Sequence, residues 1–242
     1  MMQALPLRPD DLVVEIGPGR GALTELLAER ARQVVAVELD AVLAGGLRAR
    51  LQSGGHVEIV EADILAVDLA ALCRDRKAEQ CFVFGNLPYY ITSPIIHHLL
   101  DFASSIRGMA LLVQREVAER LTAESGSRAY GYLSVLAQLH STPRVVLSIP
   151  PGAFSPPPKV HSTLVDFKMR EQLPGGAAQE RTRFLDFVKA CFAQKRKSLL
   201  NNLGGRFGRE RVATALARRG LPATARAEEL GLQQFEELLK EM

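Results

Sequence analysis

The 242-residue sequence predicts an α/β fold, a seven-stranded and mostly parallel sheet covered by helices, followed by a small C-terminal all-helical domain. Three observations point there. Through the first two thirds, short β-rich runs alternate with stretches of helical periodicity, the pattern of parallel strands joined by crossover helices. A glycine-rich turn closes the first of these runs, at the strand end where open α/β sheets bind ligands. Past a Gly/Pro/Ala-rich stretch the pattern is helical throughout.

In chain order, the expected strands are Leu12–Ile16, Gln33–Glu38, Val57–Glu61, Cys81–Gly85, Ala110–Gln114, Val145–Ile149 and Thr163–Lys168. Helical periodicity falls on Gly21–Arg30, Ala41–Gln52 and Pro94–Phe102, and Glu116–Ala123 and Leu133–His140 fill the later crossovers. The last connection differs. Pro150, Pro151, Pro156, Pro157 and Pro158 forbid a helix and impose an extended loop, so the final two strands are expected to pair as a hairpin at the sheet edge. The sheet domain is thus expected over residues 1–171, a linker over 172–179 and a helical domain over 180–242. In that last domain Phe184, Leu185, Val188, Phe192 and Leu199 share one broad helix face, with Lys189, Lys195, Arg196, Lys197 and Asn201 around it. Helices over Glu210–Arg218 and Leu232–Lys240 follow, separated by a break at Gly220–Pro222.

Composition excludes several classes. No apolar run approaches the roughly 20 residues needed to cross a bilayer, and no leader pattern precedes Leu5, so a cytoplasmic protein is expected. Cys73, Cys81 and Cys191 are unclustered, which argues against a disulfide framework or a zinc site and for packing roles. His97 and His98 are adjacent on a helix, point different ways and have no partner cluster, so no metal is expected. Net charge is only +3, but its distribution is uneven. From Gly176 to Met242 there are 13 Lys/Arg against 8 Asp/Glu, whereas the preceding 175 residues hold 17 against 19. That asymmetry fits a near-neutral small-molecule site joined to a segment attracted to a polyanion, although a solvated helical face would also produce it.

The turn Glu15-Ile16-Gly17-Pro18-Gly19-Arg20-Gly21 ends a strand and opens a helix, and its glycines permit tight turning and close approach of a ligand to the backbone. Its spacing is not the G-x-G-x-x-G of dinucleotide binders, and no Gly-Lys-Ser/Thr follows as in a phosphate loop. A phosphate-rich nucleotide is therefore not the expected ligand. Glu38 ends the next strand about twenty residues on, where a carboxylate can accept hydrogen bonds from both ribose hydroxyls. Asp63 follows the third strand, placed to accept an adenine amine, with Ile64 as an apolar neighbour for the ring. Glu15, Glu38 and Asp63 all fall at carboxyl ends of strands.

The fourth strand runs into Asn86-Leu87-Pro88-Tyr89. An exocyclic aromatic amine is a poor nucleophile because its lone pair is delocalised into the ring. Two fixed oxygens accepting its N–H bonds favour a pyramidal nitrogen with the lone pair exposed to an electrophile. The Asn86 side-chain oxygen and the Leu87 carbonyl can do this, Pro88 stiffens the turn, and Tyr89 offers a face for a flipped base. An Asn-x-Pro turn beside an aromatic is common by itself; its position after the Gly17, Glu38 and Asp63 strand ends gives it meaning.

With these motifs the sequence resembles the bacterial small-subunit branch of the ribosomal RNA adenine dimethyltransferases. The Gly-rich turn, Glu38, Asp63, Asn86–Tyr89, the loop Phe154-Ser155-Pro156-Pro157-Pro158-Lys159-Val160, and Lys195-Arg196-Lys197 with Asn201 match in order over nearly the whole chain. The resemblance implies a Rossmann-like S-adenosylmethionine methyltransferase domain plus a small helical domain. It also implies N6,N6-dimethylation of two adjacent adenines in small-subunit ribosomal RNA, on the immature small ribosomal subunit and by a monomer. Asn86, Leu87, Pro88, Tyr89 and Phe154 would then handle the base, Phe154 clamping it opposite Tyr89. Glu15, Gly17, Gly19, Gly21, Glu38, Asp63, Ile64 and Asn86 would contact S-adenosyl-L-methionine, and Lys159, Lys195, Arg196 and Lys197 the RNA. Two alternatives share the fold: a large-subunit rRNA adenine methyltransferase, and a non-catalytic ribosome-assembly or transcription factor. Family members usually carry a Gly-Gln-Asn/His-Phe-Leu motif before the first strand. None stands between Met1 and Leu12, so an open cofactor pocket and weak cofactor binding are expected of this chain.

Overall fold

The computed structural model describes residues 6–51, 55–154, 159–171 and 178–242. The chain divides into two compact units, residues 1–118 with 142–169, and residues 119–141 with 170–242. Residues 119–141, expected among the crossovers of the sheet domain, thus group with the C-terminal helices.

The first unit is a seven-stranded sheet of order β3-β2-β1-β4-β5-β7-β6. Its strands are β1 (Leu12–Ile16), β2 (Gln33–Glu38), β3 (Val57–Glu61), β4 (Cys81–Asn86), β5 (Ile106–Gln114), β6 (Ser141–Ile149) and β7 (Ser162–Met169). The first five pair in parallel and β7 runs antiparallel to β5. β6 and β7, consecutive in sequence, are neighbours at one edge, where the hairpin is expected. The central strands are largely apolar without alternation, β1 being buried along its whole length, Glu15 included, because both faces of a parallel sheet are covered. On one face Val13, Val34, Phe82, Phe84, Ala110, Leu112 and Leu164 form a continuous cluster with Leu27 from α1 (Thr24–Ala28). Ala44 and Leu47 of α2 (Ala41–Leu51) pack on Ala36 and Ile59.

Two local differences from the sequence-based expectation have clear causes. An additional helix, α3 (Leu69–Asp75), lies between β3 and β4. Asp68 caps it by accepting the Ala71 N–H at 2.8 Å, and Leu69, Leu72 and Cys73 form its buried stripe. In the proline-rich connection Pro151–Ala153 makes one 3₁₀ turn, which proline permits at a first helical position because its missing N–H has no partner to lose. Residues 155–158 of that loop lie outside the described residues, as do 172–177 of the expected linker. The remaining crossover helix of the first unit, α4 (Thr92–Asp101), begins where the Asn86–Tyr89 turn ends; α5 (Arg115–Leu121) follows β5.

The second unit gathers α6 (Tyr132–His140), α7 (Ala178–Cys191), α8 (Leu199–Phe207), α9 (Arg209–Arg218) and α10 (Leu232–Lys240). Its core joins Tyr130, Val135 and Leu139 to Phe184, Phe187, Val188, Leu199, Leu203, Val212, Leu216, Phe235 and Leu238, which is why residues 119–141 belong with it. The single long helix face expected to carry both Phe184 and Leu199 is instead two helices. The chain leaves α7 after Cys191, and Lys195, Arg196 and Lys197 occupy the turn before α8. Asn202 holds that turn, its amide donating to the carbonyls of Cys191 at 2.6 Å and Gln194 at 3.2 Å. Among the described residues no helix is long and apolar enough to cross a membrane.

Candidate active site

The carboxyl ends of β1, β2, β3 and β4 share one rim, since the registers pair Ile16 with Val37 and Gly85, and Glu38 with Glu61. Gly17, Gly19 and Gly21 all adopt left-handed backbone, with φ of +64°, +59° and +78°. At Gly21 a Cβ would lie 2.5 Å from Leu47 Cδ2 and 2.6 Å from an Arg50 nitrogen, so the absence of a side chain permits α2 to close on the turn. At Gly19 nothing lies within 4 Å of that position, which leaves the backbone open to a ligand. The turn is fastened by the Gly17 N–H on the Val37 carbonyl (3.0 Å) and the Gly21 N–H on the Pro18 carbonyl (2.9 Å). Arg50 adds a bond to the Arg20 carbonyl (2.6 Å) while pairing with Glu25 at 3.3 Å.

The three acidic residues occupy different environments. Glu15 is 2% exposed and its Oε2 has no hydrogen-bond partner among the described residues. Burial pushes its carboxyl up to about 7; the Thr24 hydroxyl opposes this without a well-formed hydrogen bond, and the Glu38 carboxylate reinforces it. Glu38 is buried with both oxygens anchored, Oε2 accepting the Gly19 N–H at 3.0 Å and Oε1 the Asp40 N–H at 3.0 Å. Each oxygen keeps a lone pair for a further donor. Asp63 is exposed; its Oδ1 accepts the Leu65 N–H at 2.9 Å and caps the 3₁₀ turn Ile64–Ala66, in which Ile64 is buried.

Asn86 is the last residue of β4 and is exposed, with no side-chain hydrogen bond among the described residues. Leu87 is buried and its N–H donates to the Leu112 carbonyl at 3.0 Å, which ties the turn to β5. Its side chain folds back where a Cβ on Gly85 would stand 2.8 Å from Leu87 Cδ2 and 3.1 Å from Ile16 Cβ, so Gly85 makes room for it. The Pro88 carbonyl accepts both the Ile91 N–H (3.2 Å) and the Thr92 hydroxyl (2.9 Å), locking the turn onto α4. Tyr89 is half-buried and its hydroxyl meets the Ser162 hydroxyl at 2.8 Å. The Gly17 turn adjoins this segment, for a Cβ on Gly17 would be 3.7 Å from the Asn86 carbonyl oxygen.

Phe154 is half-buried and packs on the sheet cluster that contains Val13, Phe82, Phe84, Leu112 and Leu164. Lys159 is exposed. In the second unit Lys195, Arg196 and Lys197 are exposed, but the Lys195 ammonium donates to the Arg128 carbonyl at 2.7 Å and so braces its own unit. Asn201 is engaged as well, its Oδ1 accepting from Arg209 at 3.1 Å. The His98 Nε2–H donates to the Val67 carbonyl (3.0 Å) and its ring packs against Phe102. Among the described residues no group of three or more His, Cys, Asp or Glu side chains is arranged to hold a metal. Cys73, Cys81 and Cys191 are free and buried.

A family model described as ribosomal RNA adenine dimethylase matches residues 1–242. The chain belongs to that family. It is 49% identical over 222 residues, which are 91% of this chain and 77% of the other, to a protein named Ribosomal RNA small subunit methyltransferase A from Acidobacterium capsulatum. One of the same name from Koribacter versatilis is 41% identical, spanning 100% of this chain and 88% of its own length. Among solved structures, the 23S rRNA methyltransferase ErmE superposes with a TM-score of 0.75 at 30% identity, covering 99% of this chain and 94% of that one. A dimethyladenosine transferase from Plasmodium falciparum gives 0.78 at 22% identity over 99% and 92%, a shared fold. Two further residues without a local sequence signal join the candidate site. Ser162 reaches Tyr89 across 73 positions, and Arg50 reaches Arg20 across 30.

Proposed function

We propose that this chain transfers methyl groups from S-adenosyl-L-methionine to N6 of two adjacent adenines in small-subunit ribosomal RNA, acting on the immature small subunit in the cytoplasm. The observation that carries this is the adjacency of the Gly17–Gly21 turn and the Asn86–Tyr89 turn, which brings a cofactor loop to the acceptors for an amine.

The residues fit the cofactor. Gly19 leaves its backbone open, Glu15 holds a buried carboxylate oxygen without a partner, and Glu38 is fixed where ribose hydroxyls can donate to it. Asp63 and Ile64 would bracket the cofactor's adenine. When bound, the cofactor supplies an electrophilic methyl on a sulfonium. Asn86 Oδ1 and the Leu87 carbonyl, to which no backbone N–H among the described residues donates, accept the target's N–H bonds and turn its lone pair outward. The nitrogen becomes strongly acidic only after methylation, so no side chain need act as a strong base. Tyr89 stacks on the base, with Phe154 as the second face. Lys159, Arg196 and Lys197 serve phosphates, and Lys195 contributes charge from a braced position.

The small-subunit target is supported by the names and 40–49% identity of the relatives. The likeness to ErmE favours, as a second reading, an adenine of the large subunit. Incubating unmethylated small and large subunits with labelled cofactor and mapping the products by mass separates them. The proposal expects two dimethylated neighbouring adenines on the small subunit and an Asn86→Ala variant slowed at least ~100-fold. Label confined to the large subunit, or none on either, overturns it.

A further inference from the structure

Beside the half-buried and anchored Tyr89 stands a second aromatic in a different state. Tyr90 is 81% exposed, the most exposed aromatic side chain among the large hydrophobics of the described residues, and it makes no hydrogen bond or ring contact among them. An isolated exposed apolar residue is ordinary. This one is set apart by what holds its backbone. Leu87 is tied to β5, and the Pro88 carbonyl accepts from Ile91 and Thr92, so the peptide carrying Tyr90 is fixed while its ring is left in solvent. Tyrosine combines a large face with few rotatable bonds, so a ring already placed loses little entropy on contact.

The surroundings suit nucleic acid. The Tyr89–Ser162 bond brings this turn to the start of β7, whose preceding residues Lys159 and His161 are exposed, and the His161 carbonyl holds the Arg115 N–H at 3.1 Å. A base drawn toward Asn86 leaves its stack, and its neighbours in the strand lose a stacking partner at the mouth of the site. A fixed, solvent-facing ring next in sequence to Tyr89 can replace the lost partner. From this geometry we infer that Tyr90 is a stacking platform for a nucleobase adjoining the target adenine, and so determines RNA affinity without touching the reacting nitrogen. The inference rests on the proposed function.

The test is steady-state methylation of unmethylated small subunits by wild type, Tyr90→Ala, Tyr90→Phe and Tyr90→Trp. A stacking platform predicts that Tyr90→Ala raises KM for the subunit roughly 5- to 100-fold, leaves kcat within about twofold and leaves cofactor affinity unchanged. Phe and Trp should both restore KM. Rescue by Phe excludes a role for the hydroxyl, and unchanged cofactor binding excludes a general distortion of the turn. An unaltered KM in Tyr90→Ala overturns the inference, as do a loss confined to kcat and a failure of Phe to rescue. A wild type that methylates no small-subunit adenine overturns the proposed function and this inference together; a wild type that does so beside an unaffected Tyr90→Ala overturns the inference alone.

Discussion

The hydroxyl of Tyr89 lies 2.8 Å from that of Ser162, and Ser162 is fully buried at the first position of β7. The bond fixes the ring on which the proposed target base stacks, and it does so from a strand that enters the sheet only after the proline-rich loop. Replacing Ser162 by alanine removes about 1 kcal/mol of hydrogen bonding and frees the ring to rotate. Ser162→Ala and Tyr89→Phe are each expected to lower kcat/KM several-fold. Because they break the same bond, the double variant should be no slower than the slower single variant, and Ser162→Thr should recover most of the loss. Additive losses in that double-mutant cycle would show that the two hydroxyls act separately.

The proposed place of Glu15 beside the cofactor predicts binding that depends on pH. Its carboxyl is raised to about 7 by burial, so in the free protein it is largely protonated at pH 6 and largely ionised at pH 8. A cationic ligand favours the ionised form. Affinity for S-adenosylmethionine should therefore rise between pH 6 and 8 and then level, and Glu15→Gln should abolish the rise. Stability runs the other way. A folded pKa above the unfolded value of 4.5 gives a contribution present in full below pH 4.5 and lost as pH rises through 7. The loss is about 3 kcal/mol, because a tenfold change in the protonation equilibrium is worth about 1.36 kcal/mol, and Glu15→Gln should escape it. Calorimetric titration and thermal melts across this range, on wild type and variant, measure both; parallel pH profiles for the two proteins would remove Glu15 from the account.

Much of the sheet and its rim is legible in the sequence because its signals are local. Strand runs such as Leu12–Ile16 and Gln33–Glu38 are continuous and mostly apolar, broken only by Glu15 and by the terminal Gln33 and Glu38, and the glycine turn and Asn86–Tyr89 are short motifs at strand ends. What escapes a sequence reading depends on contacts far apart in the chain. The affiliation of Tyr130, Val135 and Leu139 is decided by the phenylalanines of α7 and α10, to which nothing in residues 119–141 points. The break after Cys191 is invisible in a periodicity that remains helical through Leu199, since it is the Asn202 amide that satisfies the carbonyls released there. Helix α3 is a different case: Asp68 and the Leu69, Leu72, Cys73 spacing announce it, but seven residues are short for a periodic signal.

The glycines of the turn should differ in what they tolerate. Gly19→Ala meets no atom within 4 Å and incurs only the left-handed backbone penalty, about 1 kcal/mol. Gly21→Ala incurs the same penalty and also drives a methyl into Leu47 and Arg50, so a further 1–3 kcal/mol of overpacking, roughly, is expected. At roughly 2–4 °C per kcal/mol for a chain of this size, Gly21→Ala should melt well below Gly19→Ala. Cofactor affinity should reverse the order of interest: the Gly19 methyl would project into open space that the proposed function assigns to the cofactor, and loss of binding there should exceed what its small change in Tm would suggest. Equal melting temperatures for the two variants would contradict the packing seen at Gly21.

The basic turn before α8 offers a last distinction. Arg196 and Lys197 are exposed, whereas the Lys195 ammonium is held by the Arg128 carbonyl. If the exposed cations contact phosphate, Arg196→Ala and Lys197→Ala should each weaken binding to unmethylated small subunits and each flatten the plot of log K against log salt by about one unit or slightly less. Lys195→Ala should change that slope less and lower the melting temperature more, since it removes a brace inside its own unit. A Lys195→Ala variant with the larger slope change and an unaltered melt would show that the Arg128 contact gives way when RNA is bound.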